Sequence, residues 1–128
     1  MTRTTTPEQS TRAKRVGEGV REELASLLAS EVKDPGAAGA VVTRVEMTDD
    51  LRSARVYVRL LAANDDGPRR RELVSALRRA AGMLRREVTR RLRLRFAPEL
   101  RFAYDEGLDA TTRIEEILHE IHAERKPG

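Results

Sequence analysis

Apolar residues recur along this chain with two different rhythms. From residue 7 to about Val32 they come in steps of three or four: Val16, Val20, Leu24, Leu27 and Leu28 fall on one helical face. Thr6-Pro7 supplies a candidate start, with proline at the first helical position. Gly17 and Gly19 each cost about 1 kcal/mol relative to alanine, so residues 7–18 are expected to fray without a partner. Asp34-Pro35-Gly36 stops the helix. The rhythm then changes to alternation. In "VVTRVEM" (41–47), Val41, Thr43, Val45 and Met47 are predicted to face inward, with Val42, Arg44 and Glu46 outward. In "ARVYVRLL" (54–61), Ala54, Val56, Val58 and Leu60 point in, and Arg55, Tyr57 and Arg59 point out. With the polar "TDDLRS" between them, these read as a β-hairpin with one buried face.

"AANDDGP" (62–68) is a loop, and helical spacing resumes at Arg69: Leu73, Leu77, Ala80 or Ala81, Leu84, Val88, Leu92. Pro98 ends that element, and Leu100, Phe102 and Tyr104 alternate with Arg101 and Ala103 in a third strand. Residues 110–123 form a last helix, with Thr112 and Glu115 as a capping box and Ile114, Ile117, Leu118 and Ile121 as its apolar face. The expected fold is α+β, in the order α-β-β-α-kink-α-β-α. Helices cover one face of a three-stranded sheet, because each element has a single apolar face to bury. A domain over residues 7–123 is expected between tails at 1–6 and 124–128.

A chain of 128 residues with 39% hydrophobic residues supports one modest core, built from aliphatic side chains because only four residues are aromatic. The absence of cysteine excludes disulfides and a thiol nucleophile. No apolar run is long enough to span a membrane, and the start lacks a secretory pattern, so a cytoplasmic location is expected. Charge is more informative. The net is +4, yet residues 69–101 carry 12 arginines against three glutamates. One-signed charge on one element is the footprint of a polyanion binder.

That basic helix contains Ala80-Ala81-Gly82. Glycine weakens a helix, so a kink is expected there, freeing N–H groups that could hold a phosphate. Arg78, Arg79, Arg85 and Arg86 surround it, with a planar fork that matches phosphate oxygens. The plain alternative is that small residues only allow close helix packing. Tyr57 could stack on a base or lie flat on the sheet. His119 and His122, spaced i and i+3, could share a metal with Glu115 or Glu120. The pairs Asp49-Asp50 and Asp65-Asp66 could hold Mg²⁺. Ordinary surface and turn roles explain all of these better. No nucleotide-cradling glycine motif is present. No metal, cofactor or catalytic residue is therefore expected.

The stretches "RVGEGVREELASLLASEVKDP", "VTRVEMTDDLRSARVYVRLL" and, above all, "LRLRFAPELRFAYDEG" resemble bacterial ribosome-binding factor A over nearly the whole chain. Ala80-Ala81-Gly82 is similar to the family's Ala-x-Gly kink. The resemblance implies a single KH-like domain of type II, with the kink in place of the GxxG loop. It implies a non-enzymatic ribosome assembly factor that binds the free 30S subunit and its 16S rRNA, aids late maturation including rRNA 5′-end processing, and supports growth in the cold. The implied partners are the 30S subunit, 16S rRNA including its 5′ region, and small-subunit proteins, with no membrane and a monomeric chain. The expected RNA-binding residues are Arg78, Arg79, Ala80, Gly82, Arg85, Arg86, Arg90, Arg91, Arg93 and Arg44. One departure stands out: many members have Asp-Pro-Arg where this chain has Asp34-Pro35-Gly36, which removes an arginine expected to face RNA. The rival readings are another KH-like RNA or DNA binder and a protein-interaction domain with an acidic partner.

Overall fold

The computed structural model describes residues 9–61 and 66–106. The candidate start at Thr6-Pro7, the last helix at 110–123, both histidines and the tails lie outside the described residues. Helix α1 spans Thr11–Ser30. It starts later than its periodicity alone suggests because Ser10 adopts an extended backbone and caps it: its hydroxyl accepts from the Ala13 N–H at 3.0 Å. A 3-10 turn at Pro35–Ala37 follows, capped by Asp34.

Strands β1 (Ala40–Met47) and β2 (Ser53–Leu60) pair antiparallel, and β3 (Glu99–Tyr104) joins β2 in parallel, giving the order β1-β2-β3. A parallel neighbour needs a crossover. Helix α2, Gly67–Leu92, supplies it, starting two residues before the predicted Arg69 because Asp66 caps it with proline in its first turn. Helices and sheet enclose an aliphatic core of Val20, Leu24 and Leu27 from α1, Val56 and Val58 from β2, and Leu73, Leu77, Leu84 and Val88 from α2.

The strand faces follow the prediction on β2 and β3 but not throughout β1. There Val42 is buried while Val41 is outside the core cluster. The pairing shifts between Val42 and Arg44, a β-bulge that leaves Thr43 opposite no residue and restores Val45 and Met47 to the core side. The Thr43 hydroxyl lies 2.5 Å from Asp105 Oδ2 and 3.2 Å from the Tyr57 carbonyl, so the extra residue is pinned.

The glycines of α1 have a packing role. A Cβ on Gly17 would sit 3.1 Å from the Val45 carbonyl oxygen, and one on Gly19 would sit 3.3 Å from Leu92 Cδ2. They let α1 approach β1 and the end of α2.

The break expected in the basic helix is absent. Helix α2 runs unbroken through Ala80-Ala81-Gly82. One glycine costs about 1 kcal/mol, too little to interrupt a helix held on both sides by buried Leu77 and Leu84. No second helix N-terminus arises there, and no freed N–H groups. The close-packing alternative also fails at Gly82, where a Cβ would meet only Arg86 Nη1 at 3.8 Å.

A candidate RNA-binding face on the basic helix

Because α2 is continuous, its residues sort by helical position. Leu73, Leu77, Leu84 and Val88 are buried, and Ala80 and Ala81 pack at the core margin. On the opposite side, positions three or four apart read Arg71, Ser75, Arg78, Gly82, then Arg85 and Arg86, then Thr89. Arginines thus frame a glycine on the outermost line of the helix. Gly82 leaves a dip there, where a Cβ would touch only the end of the Arg86 side chain, Nη1 at 3.8 Å. Ala80, predicted to join this site, lies on the inward half instead.

The arginines of α2 divide into two groups. Six are engaged within the molecule. Arg70 pairs with Glu106 at 3.3 Å and lies 4.4 Å from the centre of the Tyr104 ring. Arg69 donates to the carbonyls of Gly36 at 2.8 Å and Ala38 at 2.9 Å. Arg79 pairs with Asp34 at 2.8 Å, Arg90 with Glu87 at 2.7 Å, and Arg91 with Glu23 at 3.3 Å and Glu87 at 3.5 Å. Arg85 donates to the Ala97 carbonyl at 2.8 Å. Arg71, Arg78 and Arg86 are exposed and have no acidic or carbonyl partner among the described residues.

The acidic partners respond to this pairing. The Asp34 carboxyl is held below the usual aspartate range, first by the Gly36 N–H and then by Arg79. Glu87 is lowered mainly by Arg90. Both carboxylates are ionised at neutral pH and quench their arginines, which sharpens the contrast with Arg78 and Arg86.

Two further expectations change with the structure. Gly36 is buried against α2: a Cβ there would lie 3.0 Å from both Ala76 Cβ and Glu72 Cγ. The position does not look outward, so its glycine serves helix packing. Arg44 lies on the far side of the sheet, stacked 4.4 Å from the centre of the Tyr57 ring and 3.3 Å from Glu46 Oε2. The structure therefore does not bring Arg44 together with the α2 arginines. Tyr57, buried and covered by Arg44, has no ring face open for a base.

Arg93 closes α2 in a left-handed conformation at φ 55°, ψ 45°. Its N–H donates to the Arg90 carbonyl at 3.2 Å and the Leu94 N–H to the Thr89 carbonyl at 3.0 Å, the two bonds of a Schellman motif. The side chain of Arg93 is thereby placed just past the exposed arginine row. Sequence reasoning missed Phe96, which is 46% exposed with Arg52 4.1 Å and Arg95 5.5 Å from its ring centre. Its position after a helix end, with arginine on its N-terminal side, was the available signal.

Among the described residues no cluster of His, Cys, Asp and Glu is arranged to hold a metal ion. Asp49 accepts from the Ser10 N–H at 2.9 Å, and Asp50 accepts from the Thr48 hydroxyl and the Arg52 N–H, both turn or cap roles. Nor does any helix among the described residues have the length and hydropathy to cross a membrane.

A continuous arginine row beside a glycine dip, on a helix that backs a β-β-α-β core, fits what comparison with known proteins finds. The ribosome-binding factor A family matches residues 12–118. The chain belongs to that family. It is 53% identical over 110 residues to ribosome-binding factor A of Sorangium cellulosum, covering 86% of this chain and 88% of that one. The crystal structure of ribosome-binding factor A from Thermus thermophilus shares the fold with a TM-score of 0.61 at 24% identity, over 72% of this chain and 94% of that one. The Thermus thermophilus factor fitted into a cryo-electron microscopy map of a 30S complex does so with a TM-score of 0.57 at 24% identity, over 71% and 92%. The α+β fold is therefore KH-like, as expected from the sequence.

Proposed function

We propose that this chain binds the free small ribosomal subunit through its rRNA and acts without catalysis as an assembly factor. The observation that carries the reading is the exposed row Arg71, Arg78 and Arg86, without a partner among the described residues, with Gly82 between Arg78 and Arg86. Arginines with no acidic neighbour keep their charge available, and the missing side chain at Gly82 lets a sugar–phosphate backbone come close to the helix. Contacts of this kind position RNA without reading bases, so affinity depends on salt more than on sequence. Membership in a family whose Thermus thermophilus member has been fitted into a 30S complex supports the same partner. On this reading the factor works in the cytoplasm, contacts 16S rRNA including its 5′ region, and aids late maturation and 5′-end processing. Arg79, Arg85, Arg90 and Arg91 join the contact only if RNA phosphates displace their present partners.

The test is co-sedimentation with purified small subunits across a range of salt. Arg78→Ala combined with Arg86→Ala removes two free cations without touching any intramolecular acceptor. The variant is expected to melt like the wild type and bind more than about tenfold more weakly. Its slope of log affinity against log salt should be shallower by about 1.5–2. Unchanged affinity in the folded variant would sink the proposal. If nuclease treatment left the co-purified complex intact, an acidic protein partner would replace RNA.

A further inference from the structure

Beyond the end of α2 the surface falls into a recess of about 440 Å³, within the range of small-ligand clefts. Arg12 from α1, Leu51 from the β1–β2 turn, and Arg93, Arg95 and Phe96 after α2 line it, with Asp49 and Asp50 on the turn side. Leu51 and Arg93 are the two non-glycine residues with positive φ among the described residues, at 61° and 55°, and both line this one recess. Side chains in that conformation are uncommon and cluster at functional surfaces. The segment behind Phe96 is firmly held. Arg85 grips the Ala97 carbonyl, Pro98 is fully buried, and the Glu99 N–H donates to the Arg52 carbonyl at 2.8 Å. Phe96 is thus an exposed aromatic ring on a rigid support, and Arg52 already orients it.

We infer that this recess takes one unpaired nucleobase of RNA, stacked on Phe96, with its flanking phosphates on Arg12, Arg93 and Arg95. The chemistry selects that occupant. Arg12, Arg93 and Arg95 have no acidic partner among the described residues. A free phosphate seated inside the recess fits poorly, because Asp49 and Asp50 share it and Asp50 is held ionised by the Thr48 hydroxyl and the Arg52 N–H, whereas flanking phosphates meet the exposed Arg12, Arg93 and Arg95 at its rim. A neutral aromatic base meets no such repulsion and takes the place of Arg95, 5.5 Å from the ring centre, on the ring, while Arg95 turns to a phosphate. Single-stranded RNA is commonly bound in this way, by bases on aromatic rings and phosphates on arginines. Arg93 links the recess to the α2 row, so RNA tracking that row reaches Phe96 where its strand leaves a duplex.

The inference rests on the α2 reading, and the experiment separates the two. Affinity for purified small subunits and chemical probing of unpaired rRNA bases are measured for the wild type, Phe96→Tyr, Phe96→Leu, and the Arg78→Ala, Arg86→Ala pair. Phe96→Tyr keeps the ring and should match the wild type. Phe96→Leu keeps an apolar side chain, and because the position is half-exposed its melting temperature should hold. It is expected to bind about 5- to 100-fold more weakly and to lose protection of an unpaired base. Wild-type affinity and protection in Phe96→Leu, with binding weakened in the arginine pair, overturn the recess and leave the α2 reading standing. Weaker binding by Phe96→Leu with every base still protected means that Phe96 touches a ribosomal protein, and it also overturns the inference. Failure of the wild type to bind subunits overturns both.

Discussion

Two sets of arginines sit on one helix, and their surroundings give them opposite tasks. Arg69, Arg79, Arg85 and Arg91 reach from α2 to other elements: the 3-10 turn, the segment before β3, and α1. They hold the crossover helix to its neighbours. Arg71, Arg78 and Arg86, on the outermost line, hold nothing within the described residues. Charge count alone treats these groups as equivalent. A blanket replacement of Arg78, Arg79, Arg85 and Arg86 would mix them, removing two surface cations together with two tethers. Loss of binding in such a variant would have two explanations, whereas the Arg78, Arg86 pair leaves one.

The largest separation of the two tasks should come from Arg69→Ala. It removes two charge-assisted bonds to the Gly36 and Ala38 carbonyls, expected to lower unfolding free energy by about 1–3 kcal/mol. Subunit affinity of the folded protein should stay near the wild-type value. Chemical denaturation with binding measured well below the transition checks both halves. A large affinity loss without destabilisation would place Arg69 in the binding group.

Gly82→Ala tests the dip from the other direction. Nothing crowds a Cβ at this position, and alanine favours a helix over glycine by about 1 kcal/mol. The variant should therefore melt higher while binding subunits less well. A glycine whose replacement improves the fold and harms binding is there for the partner. If Gly82→Ala binds as well as the wild type, close backbone approach at the dip is wrong and the arginines act alone.

The smallest effect is expected from pH. The folded-state pKa of Asp34 lies below its ordinary value because the Gly36 N–H and Arg79 stabilise the carboxylate. Such a group contributes stability that is fully present above the unfolded value of about 3.9 and is lost as pH falls through the lowered folded value. Asp34→Asn should flatten the acid side of the stability profile and change little at neutral pH. Titration of the Asp34 carboxyl by NMR at or above the usual aspartate value would show that the Arg79 tether is absent in solution.

Much of this protein was legible in its amino-acid order. Period-two alternation located all three strands, and helical spacing placed α1 and α2 with their buried faces, because burying one side imposes those rhythms whatever the neighbours are. The motif residues 92–107 pointed to the family, and one-signed charge singled out α2. What failed were inferences about single residues whose role depends on a distant neighbour. Gly17, Gly19 and Gly36 looked like weak points or losses, yet each sits where another element comes within 3.3 Å of a would-be side chain. Gly82 looked like a break, but a local cost near about 1 kcal/mol is overcome by core contacts on either side. The β1 bulge turned Val42 inward because pairing with β2, rather than alternation, decided the register. The sequence by itself determined the elements, their apolar faces and the concentration of positive charge on one helix, since these follow from local periodicity and composition. Only the tertiary structure decided which arginines are tied down and which are free, because a guanidinium's task depends on the carboxylate or carbonyl that folding brings within about 3 Å of it, often from a residue tens of positions away.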